Sequence, residues 1–352
     1  AKPGTTILIR SGDYPGGILL ENLHGAPGRP ITIRGADPNN PPRFIGGGSA
    51  LQLSRVSHVE ISDLKIEGAR GNGLNIDDGG DYDKPSHNIT LRRISVSDLP
   101  KGNNDGIKLS GLDGFRVEDC QIARWGGSGI DMVGCHRGLI LNCSFTQGGD
   151  SGIQAKGGSS DVTIRKCRFT DFGQRGVNIG GSTGREFFRP PLAALPAGSR
   201  FESKKITVEG CTFINGGAPA AFVGTVGSTF RFNTILNPGR FALRILQETS
   251  ASDFLSCREG ALSDNLVVFR SDNWGSGGVN VGPGTAAQTF SFARNWWFCM
   301  DAPNRSRPAL PVTEAGGVYG VDPLLDDSGV PKPGSPAAKV GAHGFALKKL
   351  GG

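Results

Sequence analysis

DGIKLSG at residues 105–111, SGIDMVG at 128–134, SGIQAKG at 151–157 and RGVNIGG at 175–181 are four copies of one short pattern. In each, hydrophobic residues alternate with a polar one: Lys108, Asp131, Gln154 and Asn178 in turn. Strict alternation marks a strand with one buried and one open face. The copies recur every 23 to 24 residues, and recurrence at a short fixed period marks a solenoid of stacked repeats. The expected fold is therefore all-β, a parallel β-helix. It reads as a single domain over 1–352, with an opening cap and first strands over 1–50, regular coils over 51–300 and a closing cap or tail over 301–352.

Composition agrees. The 56 glycines, 7% aromatics and 37% hydrophobic residues suit a fold dense in tight turns around a narrow interior, and do not suit a helical bundle. A net charge of +6 makes anionic partners plausible. No run of five Lys or Arg occurs, and base-stacking aromatics are not interleaved with the charges, so no nucleic-acid partner is expected. No apolar run reaches the length of a membrane span, so no membrane partner is expected either. The opening AKPGTT holds no signal peptide, which decides nothing about export.

Four of the seven cysteines, Cys120, Cys143, Cys167 and Cys211, occupy one repeat position, which Asn233, Asn265 and Asn295 take over later. That is a ladder of small buried residues, and stacked thiols point in parallel, away from disulfide geometry. Cys257 and Cys299 lie in late loops where a pairing stays open.

Aligning the repeats places Asn75, Lys108, Asp131, Gln154, Asn178, Phe222, Arg244 and Asn280 in one outward column, with coils about 4.8 Å apart. A second column holds Asp77, Ser110, Val133, Lys156 and Gly180. Three insertions, 77–88, 181–204 and 247–260, all follow the same strand of their coils. They should rise as long loops along one edge of one sheet and wall a groove.

The repeat resembles the right-handed parallel β-helix proteins of the pectate-lyase-like superfamily. GTTILIRSGDYPGG at 4–17, ITVEGCTFINGG at 206–217 and DPLLDDSGVPKPGSPAAKVGA at 322–342 carry the resemblance. That superfamily includes polysaccharide lyases, glycoside hydrolases and uronan epimerases. IQAKGGSSDVTIRKCRF at 153–169 is similar to the chondroitinase-B and alginate-lyase group. The likeness implies Lys156 as a base and Arg175 as its assisting arginine, with Arg185, Arg189 and Arg244 as further candidates. Gln154 stands where that group's acidic calcium ligands would help. NNDG at 103–106 also resembles a strand of polygalacturonase-type hydrolases, but GGSG and GDSG replace the paired Asp and the GHG of the next coils.

β-Elimination of a uronate requires cations on the carboxylate and a base at C5. The expected function is therefore a polysaccharide lyase acting on an acidic polysaccharide, with Lys156 as base and Lys108 plus one arginine on the carboxylate. Asn75, Gln154, Asn178 and Asn280 suit sugar hydroxyls, His136 a proton shuttle, and Phe187 and Phe188 with Arg189 a stacking lip. Two rival readings stand beside it. One is an inverting glycoside hydrolase using Asp131 with Asp105 or Asp77, at Cα separations of about 11 Å from strand spacing. The other is a non-catalytic glycan-binding or surface β-helix. Asp77, Asp78, Asp81 and Asp83 gather oxygen ligands of the kind calcium takes, making calcium the one cofactor to consider. The substrate class implies a secreted or periplasmic location.

Overall fold

The structure, a computed structural model, describes residues 1–350. Its coils stack into two sheets, one of ten parallel strands and a folded one of 24. The ten-strand sheet runs from Ile18–Glu21 through Ile107–Ser110, Ser128–Val133, Ser151–Lys156 and Arg175–Gly180 to Ala218–Val223, Leu243–Leu246 and Val279–Val281. Ile107, Leu109, Ile130, Met132, Ile153 and Ala155 face inward and are at most 1% exposed. Hydrophobic burial on one face thereby fixes the register, because a one-residue slip would turn this whole set outward. Phe145, Phe169 and Phe213 stack within the interior at 4.7 and 4.6 Å between centroids.

The outward column is observed with one correction. Lys108 pairs with Asn75 and Asp131, Asp131 with Gln154, and Gln154 with Asn178. Next comes Ala221, then Arg244 and Asn280. Phe222 lies one step off, facing inward, where it meets Phe290 at 5.4 Å.

The larger sheet folds at single residues of positive φ: Asp119, Asn142 and Lys166 at 54°, Gly210 at 64°. The residue after each is a ladder cysteine. All seven thiols are free and buried, Cys257 and Cys299 included, so that pair does not join; Cys299 ends the strand Trp296–Cys299 and is not in a loop. In the later coils the ladder is amide: Asn233 Nδ2 donates to Asn265 Oδ1 at 3.1 Å and Asn265 Nδ2 to Asn295 Oδ1 at 2.8 Å. Glu314 terminates it, accepting from Asn295 Nδ2, Trp297 Nε1 and the Tyr319 hydroxyl.

The first residues form a coil of three strands. Thr6–Ile9, Asp13–Pro15 and Ile18–Glu21 pair in parallel with the coil above. The tail closes the last coil through Glu314 and then returns along the flank to the helix Gly341–Leu350, where the Gly341 N–H donates to the Asp264 carbonyl at 2.8 Å. Gly351 and Gly352 lie outside the described residues. Among the described residues, no helix is long and apolar enough to cross a membrane.

Candidate functional site

The three insertions rise from the ends of Leu74–Asp77, Arg175–Gly180 and Leu243–Leu246, all strands of the ten-strand sheet. Two of them are tied together by Glu202, which is fully buried. It accepts from the Gly157 N–H, from the Thr183 N–H and hydroxyl, and from the Thr249 hydroxyl at 2.5 Å. A cavity of about 520 Å³ lies between the 77–88 and 181–204 loops and the sheet. Lys108, Lys156, Asn75, Asp77, Tyr82 and Phe187 are among its lining residues.

Its floor is a charge cluster. Asp131 Oδ2 takes the Lys108 ammonium in a short contact and lies 3.5 Å from Lys156 Nζ. Lys108 also lies 3.5 Å from Asp105 Oδ2, and Asp105 Oδ1 accepts the Ser128 N–H at 2.7 Å. Lys156 donates to Gln154 Oε1 at 3.2 Å. Both carboxylates lie under the lysines, Asp131 at 1% and Asp105 at 2% exposure. Asp131 Oδ1 is buried and has no hydrogen-bond partner. Burial works against the Lys108 charge, but Asp131 and Asp105 outweigh it and raise its pKa. Burial, reinforced by the Asp131 charge, pushes the Asp105 carboxyl above the usual carboxylate range.

Several expected participants lie elsewhere. Phe188 is 1% exposed and packs on Phe254 at 5.4 Å, anchoring its loop, while its neighbour Phe187 is 49% exposed and lines the cavity. Arg189 lines the cavity, but its guanidinium is bonded to both oxygens of Asp78, at 2.7 and 2.9 Å, and covers the Tyr82 ring at 4.0 Å. Arg185 pairs with Asp253 at 2.6 Å. Arg175 bonds Asn178 and Glu248, and Arg244 bonds Asn280; neither lines the cavity. His136 belongs to the larger sheet, with Nδ1 3.1 Å from the Ser160 hydroxyl, and burial lowers its pKa.

In the acidic loop Asp77, Asp78 and Asp81 turn to different partners. Asp77 accepts from Gln52, Ser54, Asn75 and the Gly79 N–H, Asp78 turns to Arg189, and Asp81 pairs with Lys84. No three His, Cys, Asp or Glu side chains converge as a metal site among the described residues.

Sequence reasoning leaves Tyr82, Asn103 and Glu202 out of the site; of the expected lip, Phe187 lines the cavity. Tyr82 and Asn103 stand in stretches already singled out, DDGGDYD and NNDG. Glu202 carries no pattern at all, because its partners come from three separate turns.

Coils stacked in parallel, with loops walling one sheet, define the molecule as a parallel β-helix with a groove. The chain belongs to the family described as the right-handed β-helix region, whose model matches residues 49–190 and again 84–258. No curated protein sequence matches it. Among solved structures it is similar to an alginate lyase from Paenibacillus sp. at 17% identity and a TM-score of 0.56, covering 80% of this chain and 93% of that one. It is also similar to a GH87 α-1,3-glucanase catalytic unit from Streptomyces thermodiastaticus at 14% identity and a TM-score of 0.61, covering 84% of this chain and 58% of that one. A GH136 lacto-N-biosidase from Eubacterium ramulus matches at 13% identity and a TM-score of 0.50, over 90% and 62% of the two chains. Lyases and hydrolases thus share this fold.

Proposed function

We propose that the protein is a secreted polysaccharide lyase that cleaves an acidic, uronate-containing polysaccharide by β-elimination. One observation carries the reading: the groove presents two ammonium groups and several amides, while Asp131 and Asp105 lie beneath them and the two carboxylates in its wall are engaged, Asp77 by Gln52, Ser54 and Asn75 and Asp78 by Arg189. A hydrolase needs its carboxylates at the substrate. A uronate lyase needs cations there.

Lys108, held charged by two carboxylates, neutralises the sugar carboxylate and stabilises the enolate that forms at C5. Lys156 stands 3.5 Å from the Asp131 oxygen that Lys108 occupies and donates to the neutral Gln154 amide, so it is the less tightly paired of the two amines. As the base, its Nζ takes the C5 proton. The electron pair of that bond becomes the C4–C5 double bond as the C4–oxygen bond breaks, and the leaving oxygen takes a proton from the Tyr82 hydroxyl, which lines the same cavity.

The test is incubation with alginate, polygalacturonate and glycosaminoglycans, with and without calcium, following both unsaturated-uronate absorbance and reducing ends. Absorbance that appears with the wild type and is lost in Lys156→Ala supports the reading. Reducing ends without absorbance, lost in Asp131→Asn, would move the protein to the hydrolases.

A further inference from the structure

The coils above the Lys156 cavity carry a second cationic group on the same face of the ten-strand sheet. Arg175 Nη1 donates to Asn178 Oδ1 at 3.0 Å and Nη2 to Glu248 Oε1 at 2.5 Å, while its Nε is buried without a partner. Ala221 follows Asn178 in the column and Arg244 follows Ala221, so only a methyl group stands between the two polar positions. Arg244 donates to the neutral Asn280 amide at 3.1 Å and makes no ion pair among the described residues. Arg240 and Arg244 both lie against the Phe241 ring, at 5.2 and 5.6 Å. Burial, and then the charge of Arg175, lower the pKa of Arg244, as expected of cations brought to one place.

Of the three arginines only Arg175 is paired with a carboxylate, Glu248, among the described residues, and Arg244 feels that charge without an ion pair. A guanidinium fork held partly desolvated with no anion fits a carboxylate bidentately. From Gln154 beside Lys156 to Arg244 is three strand steps, roughly 14 Å along the stack. One sugar cannot occupy both places, but one chain lying along the groove can.

We propose that Arg244, with Arg175 and Arg240, forms a distal subsite for a carboxylate of the same acidic polysaccharide, so that the protein favours chains long enough to span both sites. The inference rests on the reading of the Lys156 groove as a uronan site, and the experiment separates the two.

Kinetics of Arg244→Gln are measured on polymeric alginate and polygalacturonate and on their trisaccharides, beside affinity electrophoresis in gels containing each polymer. The expected result is a KM for polymer raised about tenfold with kcat held, and no change on trisaccharides. Arg244→Lys, which keeps the charge but not the fork, should fall between. If Lys156→Ala abolishes cleavage but Arg244→Gln leaves polymer KM and gel retardation as in the wild type, the subsite is overturned and the lyase reading stands. If no polymer is cleaved yet each retards the wild type and not Arg244→Gln, the lyase reading falls and the subsite stands. Neither cleavage nor retardation overturns both.

Discussion

Asp131 takes the ammonium of Lys108 from the coil below on one carboxylate oxygen and leaves the other oxygen buried without a partner. A second ammonium, from Lys156 on the coil above, stands 3.5 Å from the occupied oxygen. One carboxylate therefore sets the separation of the two amines assigned to catalysis.

Asp131→Asn keeps the shape and removes the charge that both lysines face. Breaking a buried ion pair from one side costs about 3 kcal/mol, although Lys108 retains Asp105 at 3.5 Å. Urea denaturation should show a loss of that order. Turnover should fall about 100-fold, because displacing a reacting amine by a fraction of its reach is costly. A stable, fully active Asn variant would remove Asp131 from the site.

Asp105 gives a pH signature. Its carboxyl is raised by burial and by Asp131, so the native state binds more protons than the unfolded chain from its ordinary value of 3.8 up to the raised one. Stability contributed by that proton is present below 3.8 and is lost as pH rises through the window, at about 1.4 kcal/mol for each pH unit the window spans. Asp105→Asn can still accept the Ser128 N–H and has no such titration. Urea midpoints for the two proteins should converge near pH 4, and the variant should gain on the wild type as pH rises. Parallel curves would show that Asp105 is ionised throughout.

Phe187 and Phe188 are neighbours with opposite roles. Phe188 is enclosed with Leu192 and Phe254, so Phe188→Ala should cost about 3 kcal/mol of loop anchoring, seen as proteolytic nicking within 181–204. Phe187 is half exposed over the cavity, so Phe187→Ala should change stability by less than about 0.5 kcal/mol while raising KM severalfold. The reverse pattern would restore Phe188 as the lip.

These sites also mark where the sequence is legible. Lys108, Asp131, Gln154 and Lys156 stand out because a polar residue in each strand separates the outward face from the Ile, Leu and Met of the inward one. In Ala218–Val223 no polar residue marks either face, so the repeat alignment turns Phe222 outward. What decides its direction is the space inside, shared with Phe290. Arg189 looks like a free cation in sequence because its partner Asp78 is 111 residues away in another insertion. Pairings between loops follow from how the coils bring their edges together, and a repeat period carries no information about them.

The ladder offers a last test, in which two variants of one residue part company. Asn265 accepts the Asn233 N–H at 2.9 Å and donates to the Phe230 carbonyl at 3.0 Å and to Asn295. Asn265→Ala strands a buried N–H and a buried carbonyl, at about 1–3 kcal/mol for each group left unsatisfied. Cysteine fills the same position in lower coils, where Cys211 Sγ accepts the Cys167 N–H at 3.4 Å and donates to the Ile164 carbonyl at 3.8 Å. Asn265→Cys should thus retain a weaker form of both contacts and lose less stability than Asn265→Ala, measured by urea denaturation under reducing conditions. Equal losses would mean that the ladder works by filling space between the coils, and that its hydrogen bonds contribute little.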